Sequence, residues 1–275
     1  GGRTVFFNGD TFARRNGVPV MVRSSAVVHD PRSDQCVTVS GLDAASGVFG
    51  SPGSGSDWFW PGAPLGAGVA SGKPVLLVNV ARTGFSSANS AGFSMTGQGV
   101  VALGFSGNKV FRTGEFMSTS FLAQPAHGEP VWWGSSVLRR GGWSYRFGTR
   151  LVKDKLRFDT YVYRVSDVDL DLSTPASAKS SAKAMASSVQ YLGKDGSWSR
   201  RVAFSDMKRV ASDTGSTVSA FASGSRVCLV YKHADGLGRQ VRTQCAPSVS
   251  GRFKVVSSFS PARVEASDGS PALSY

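Results

Sequence analysis

Four carboxylates stand where a short apolar run meets turn residues, which is where a β-protein can present an acid at a rim. Asp10 follows Thr4-Val5-Phe6-Phe7-Asn8-Gly9 and precedes Thr11-Phe12. Asp30 follows Ser25-Ala26-Val27-Val28-His29 and precedes Pro31. Asp57 leads Trp58-Phe59-Trp60-Pro61, and Glu115 sits in Thr113-Gly114-Glu115-Phe116. Hydrolysis of a glycosidic bond needs two carboxylates facing each other across it, one protonated and one ionised. Asp10 with Asp30 is the catalytic pair this pattern favours. Asp57 and Glu115 are substitute partners or substrate-binding groups. Each has a plainer reading: Asn8-Gly9-Asp10 as hairpin chemistry, Asp30-Pro31 as a turn, Glu115 as a solvated turn residue. Trp58 and Trp60 alternate with Phe59, so on a strand they share one side. They suit a sugar-stacking platform, or equally the core of a sheet. Trp132 and Trp133 pose the same choice. Arg23 could bind substrate or pair with a carboxylate.

Other chemistries find little support. Asp167, Asp169 and Asp171 alternate on one strand face but lack the glycine and distal Glu of a calcium loop. His29, His127 and His233 have no Cys or Glu companions at metal spacing, so no metal is expected. Ser24 and Ser25 lack the glycine-flanked elbow of a serine hydrolase. There is no phosphate loop and no dinucleotide fingerprint, so no cofactor is expected.

Those acids must be positioned by strands. Gly (33) and Phe (17) are frequent, Trp numbers 6, and the apolar runs are short. That pattern predicts an all-β chain, a propeller or sandwich, and 275 residues fit one such domain spanning 1–275. A phrase recurs: a glycine, one or two small, basic or aromatic residues, then an apolar strand. It opens at Gly2, Gly72, Gly142 and Gly224, with a fifth candidate at Ser188-Val189-Gln190-Tyr191-Leu192. The spacing fits propeller blades separated by long insertions. The clearest blade is a meander from Val131 to Val165 with turns at Arg139–Gly142 and Lys153–Lys155. Ser173–Ser188 reads as a surface loop with one helical turn, and Gly47–Ser56 as a loop delivering Asp57.

A net charge of +13 attracts anionic partners. The basic residues are scattered in pairs, with no basic run and no RNA-recognition signature, so an anionic envelope polysaccharide is expected rather than nucleic acid. Cys228 and Cys245 lie about equally far from the Asp235-Gly236-Leu237-Gly238 tip, which places them opposite each other for a disulfide or for two packed thiols. A bridge implies an oxidising, extracytoplasmic setting. No apolar run has transmembrane length. A monomer is expected.

Phe6-Phe7-Asn8-Gly9-Asp10-Thr11-Phe12, Met21 to Val28, Trp58-Phe59-Trp60-Pro61-Gly62, Trp133 to Leu138 and Tyr145 to Arg150 together resemble a family of secreted bacterial proteins. Its relatives include endo-D-arabinanases that cut mycobacterial cell-wall arabinan, and its fold is a five-bladed β-propeller. The resemblance runs from about residue 3 to 165. It implies that Asp10, in the Gly-Asp-Thr-Phe motif, is general base or nucleophile. Asp30, near where the second acid falls, would be the general acid, with Trp58 and Trp60 lining subsites. Two departures stand out: Ser24-Ser25 replaces an expected Asn-Ser, and the last blade is expected to be incomplete at Tyr275. The rival function is a non-catalytic glycan-binding propeller using the same rim. A sialidase-like propeller fits the charge but not the absence of repeated Asp-box turns.

Overall fold

The computed structural model describes residues 4–8, 11–15, 17–40, 47–50, 57–70, 73–85, 87, 93–106, 109–117, 131–152, 157–167, 171, 177, 180, 184, 187–233 and 240–260. Its strands are β1 (Thr4–Asn8), β2 (Thr11–Arg15), β3 (Val18–Val22), β4 (Ser25–Asp30), β5 (Gln35–Ser40), β6 (Trp58–Ala70), β7 (Lys73–Phe85), β8 (Phe93–Ser106) and β9 (Lys109–Met117). They continue with β10 (Val131–Arg140), β11 (Trp143–Leu151), β12 (Phe158–Ser166), β13 (Gln190–Leu192), β14 (Trp198–Ser199), β15 (Ala211–Ser223), β16 (Arg226–His233), β17 (Val241–Ala246) and β18 (Lys254–Phe259). All named strand pairs are antiparallel. A 3-10 turn spans Phe204–Asp206, and Ser177, Ser180, Ala184 and Ser187 are helical.

Each glycine-led phrase opens a strand, since a glycine frees the turn and the β-branched and aromatic residues that follow favour a pleated surface. Those strands are β1, β7, β11 and β16. The β6-β7-β8-β9 sheet is an up-and-down meander with the shape of one propeller blade. The predicted meander from Val131 is β10-β11-β12. Beyond it the chain departs from separate four-stranded blades. The start of β12 pairs with β15 at Phe158↔Thr214, while its later half pairs with β13 at Tyr163↔Tyr191. One nine-stranded sheet results.

Three clusters hold the sheets. Val28, Val39, Phe49, Phe59, Val80 and Leu103 join β4-β5 to β6–β9. Phe147, Val162, Val218 and Leu229 fill the space between β10–β12 and β15–β16, and Val131, Trp133, Tyr161 and Tyr191 pack the other face of β10–β12. Burying a Phe147 or Leu229 side chain contributes about 2 kcal/mol. Cys228 and Cys245 are in register on β16 and β17 and form a disulfide. The hairpin tip that relates them lies outside the described residues.

Gln98 on β8 ties the four-stranded sheet to the nine-stranded one. β10 is an edge strand, and its Val131 carbonyl and Trp133 amide point off that edge. The Gln98 side chain takes both. Its Nε2 donates to the Val131 carbonyl at 2.6 Å, and its Oε1 accepts from the Trp133 N–H at 3.0 Å. A buried side-chain amide thus does for β10 what a neighbouring strand would do. We predict that Gln98→Leu, which keeps volume but strands these groups, lowers stability by about 2 kcal/mol in urea unfolding. A loss below about 0.5 kcal/mol, the range of neutral surface changes, would contradict that role.

Candidate functional site

Close backbone approach creates the site. Gly134 has φ +81°, and a Cβ there would stand 2.7 Å from the Asn79 side chain. A Cβ on Gly62 would stand 2.5 Å from the Gly134 carbonyl oxygen. Asn79 completes the joint by donating its Nδ2 to the Ala63 carbonyl at 3.0 Å. With no side chain on either glycine, β6 and β10 meet. Two residues earlier on each strand stand Trp60 and Trp132, whose ring centroids are 5.6 Å apart. Both are half-buried and so keep surface for a ligand.

Trp60 also contacts the edge of Trp58 at 5.9 Å. Trp58 is only 3% exposed, and one face is covered by the Arg23 guanidinium at 4.2 Å. The expectation that Trp58 and Trp60 both line subsites is therefore corrected: Trp58 is buried beneath Arg23 and Phe85, and supports rather than presents. Arg23 also lies 5.5 Å from the Phe85 ring, and Phe85 is 65% exposed. A guanidinium over two aromatic rings is an attractive contact that also holds the cation at a fixed place.

Across from Phe59 stands Arg82, on the face of β6 opposite Trp58 and Trp60, and it is to that face that the carboxylate of Asp57 turns. Its Oδ2 accepts from Arg82 Nε at 2.7 Å and from Thr96 Oγ1 at 3.3 Å, so β7 and β8 fix its rotamer. Asp30 lies elsewhere. It closes the β4–β5 hairpin, and its Oδ1 accepts the Arg32 N–H at 3.0 Å, which is the plain Asx-turn reading. Arg23 adjoins the other end of β4. Asn8 ends β1 opposite Ser25 at that same end, with its Nδ2 donating to Ser25 Oγ at 3.3 Å. Asp10 lies outside the described residues. Glu115 is on β9 opposite Val101, and its side chain lies outside the described residues.

The rim therefore gathers Arg23, Trp58 and Trp60 but not Asp30, and Asp57 stands at the same end of β6 on its other face. The rim adds Trp132 and also Phe85, which sequence reasoning did not single out. The Trp132-Trp133 pair did carry a signal, since one of two adjacent strand residues faces away from the core. Trp133 is the core member, packed edge-to-face with Tyr163 at 4.9 Å. Chemically, the Trp60 and Trp132 rings, with the Arg23 guanidinium over the adjoining Trp58, can stack a sugar ring and hydrogen-bond its hydroxyls. Among the described residues no His, Cys, Asp or Glu cluster could hold a metal ion, and no helix is long and apolar enough to cross a membrane.

Gly134→Ala should lower stability by about 2 kcal/mol or more and alter the near-ultraviolet circular dichroism of the tryptophans, because it combines a left-handed backbone with a clash. Gly141→Ala, at φ +59° in open space, should cost about 1 kcal/mol and leave that spectrum unchanged. Equal effects would refute the close-approach account.

No protein-family model matches the sequence, and no curated protein sequence matches it. The solved structures to which the chain is distantly similar include glycoside hydrolases. A family 117 glycoside hydrolase from Zobellia galactanivorans is 13% identical with a TM-score of 0.41, covering 79% of this chain. This chain spans only 58% of that protein's length. An exo-1,5-alpha-L-arabinanase from a bovine ruminal metagenomic library is 11% identical with a TM-score of 0.35, covering 90% of this chain and 96% of its own. A GH43_1 enzyme from Xanthomonas citri complexed with xylose is 11% identical with a TM-score of 0.30, covering 73% and 74%.

Proposed function

We propose that this chain is a secreted five-bladed propeller that hydrolyses a furanose-rich cell-envelope polysaccharide, with arabinan as the first substrate to test. The observation that carries this reading is the rim on which Trp60 and Trp132 present ring surface, with Arg23 over the adjoining Trp58 and the Arg82-held carboxylate of Asp57 at the same end of β6. The rings stack on the apolar faces of sugars, and the charged groups take hydroxyls. The motif resemblance around Asp10 supports the same substrate class.

Two carboxylates are required. Asp10 follows Asn8 by two residues in the chain, and β1 leaves its sheet at the Arg23 end. Asp57 opens the strand that carries Trp58 and Trp60, and Arg82 and Thr96 hold its carboxylate, whereas Asp30 caps a hairpin at the far end of β4. The proposed pair is therefore Asp10 and Asp57, with Asp57 in the place that the sequence suggested for Asp30. The Cys228–Cys245 bridge supports an oxidising, extracytoplasmic location.

The test is release of oligosaccharides from mycobacterial arabinogalactan. Wild type should release them, and Asp10→Asn and Asp57→Asn should each lower the rate about a hundredfold or more, the usual worth of a general acid or base. Asp30→Asn should stay within about twofold, as a surface turn residue does. A rate lost with Asp30→Asn but kept with Asp57→Asn would overturn the assignment. No release, with polymer binding that Trp60→Ala abolishes, would make the chain a glycan-binding module instead.

A further inference from the structure

A second site lies away from the aromatic rim. A cavity of about 480 Å³ opens on the face of β10–β12 that carries Val131, Trp133 and Tyr161. Trp132, which alternates with them, points to the opposite face. The cavity's floor is the segment from Gly193 to Arg209. That segment is tied down by Lys194 N–H to the Asp206 carbonyl at 2.8 Å, Lys208 N–H to the Leu192 carbonyl at 2.8 Å, and a bridge between Gly193 and Met207. Two aromatic rings, Tyr161 and Phe204, stand 5.0 Å apart on the wall.

Four cations line it: Arg150, Lys194, Lys208 and Arg209. Arg150 is steadied by Phe204, whose ring lies 5.0 Å from the guanidinium, and by a hydrogen bond to the Tyr161 hydroxyl. Burial, with the nearby charge of Asp159 adding to it, raises the Tyr161 phenol above its ordinary value, so at neutral pH it is an O–H donor. Lys208 uses one of its donors on the Ser250 carbonyl at 2.7 Å. Arg209 pairs with Asp159 at 3.2 Å. The other acids nearby do not line the cavity: Asp195 is folded back on the Ser197 N–H and hydroxyl, and Asp206 is exposed. Among the described residues, four cations line the cavity and one carboxylate, Asp159, is paired with them, so positive charge is in excess there.

That surplus calls for a polyanion, and a phosphoryl monoester carries about −1.5 to −2 at neutral pH with three acceptor oxygens. The volume is that of a small-molecule site rather than of a lone ion. The aromatic wall offers a surface for the carrier ring. We propose that this cavity binds a phosphorylated sugar, its phosphoryl group among Arg150, Lys194 and Lys208 and its ring against Phe204 and Tyr161. The site is independent of the rim and holds whether or not the rim cuts glycans.

Isothermal titration with ribose 5-phosphate tests it, with inorganic phosphate, ribose and glucuronate as the other arms. Ribose 5-phosphate should bind, and more weakly as salt is raised. Inorganic phosphate should bind about tenfold more weakly, ribose not at all, and glucuronate about tenfold more weakly. Lys194→Ala, at an exposed position that does not endanger folding, should weaken ribose 5-phosphate about tenfold, the worth of one charge-assisted hydrogen bond. Arg226→Ala, on β16 and outside the cavity, should change nothing. No binding of ribose 5-phosphate at millimolar concentration would overturn the proposal. So would equal binding of glucuronate, or an equal loss in the Lys194→Ala and Arg226→Ala variants.

Discussion

The contact between β6 and β10 is the constraint on which the rest of the structure depends. Two sheets normally pack through side chains about 10 Å apart. Here they meet closer, because Gly62 and Gly134 carry no Cβ and Asn79 fills the joint. Gln98 supplies the hydrogen bonds that an edge strand would otherwise lack. Either device without the other would fail: proximity without Gln98 would bury unpaired backbone groups, and Gln98 cannot reach across a normal gap. The consequence two residues away is the Trp60–Trp132 pair. The rim is thus a by-product of how the two halves of the chain are joined.

Contacts between arginine and tryptophan do not by themselves mark a site. Arg164 lies 4.0 Å from the Trp143 ring and 4.5 Å from Trp198, and both its Nε and Nη2 donate to Gln190 Oε1. That guanidinium is clamped between two rings and satisfied within its own sheet. Arg23 differs in its surroundings. It lies over Trp58, which adjoins half-buried Trp60, and near the highly exposed Phe85. The positive charge of the chain is similarly uneven. Arg139, Arg157 and Arg82 each have an aspartate partner, in pairs that are at least partly exposed and contribute at most about 1 kcal/mol each. The cavity lined by Lys194 and Lys208 concentrates cations, of which Arg209 is paired with Asp159.

Local rules were legible in the sequence where they are local. The glycine-led phrases located β1, β7, β11 and β16, and the midpoint argument placed Cys228 opposite Cys245. Alternation correctly put Trp58 and Trp60 on one side of β6, but could not say which of the two the core would cover. That is decided by Arg23, which comes from the bend between β3 and β4. Asp30 was ambiguous for the same reason: a turn aspartate and a rim aspartate look alike until the end of β4 that faces the tryptophans is known. Gln98, Asn79 and the cationic cavity gave no signal at all. Each depends on strands separated by tens of residues, and a polar residue in a strand reads as solvent-facing until its partner is known.

The claim that Trp60 and Trp132 receive the sugar is tested most directly by the indole N–H resonances of the six tryptophans, followed in 1H–15N spectra during titration with arabinan oligosaccharides. The account predicts that Trp60 and Trp132 shift first and most, that Trp58 follows through its ring contact, and that Trp143 and Trp198 stay in place. Binding that moves Trp143 and Trp198, or that leaves Trp60 and Trp132 unmoved, would contradict it.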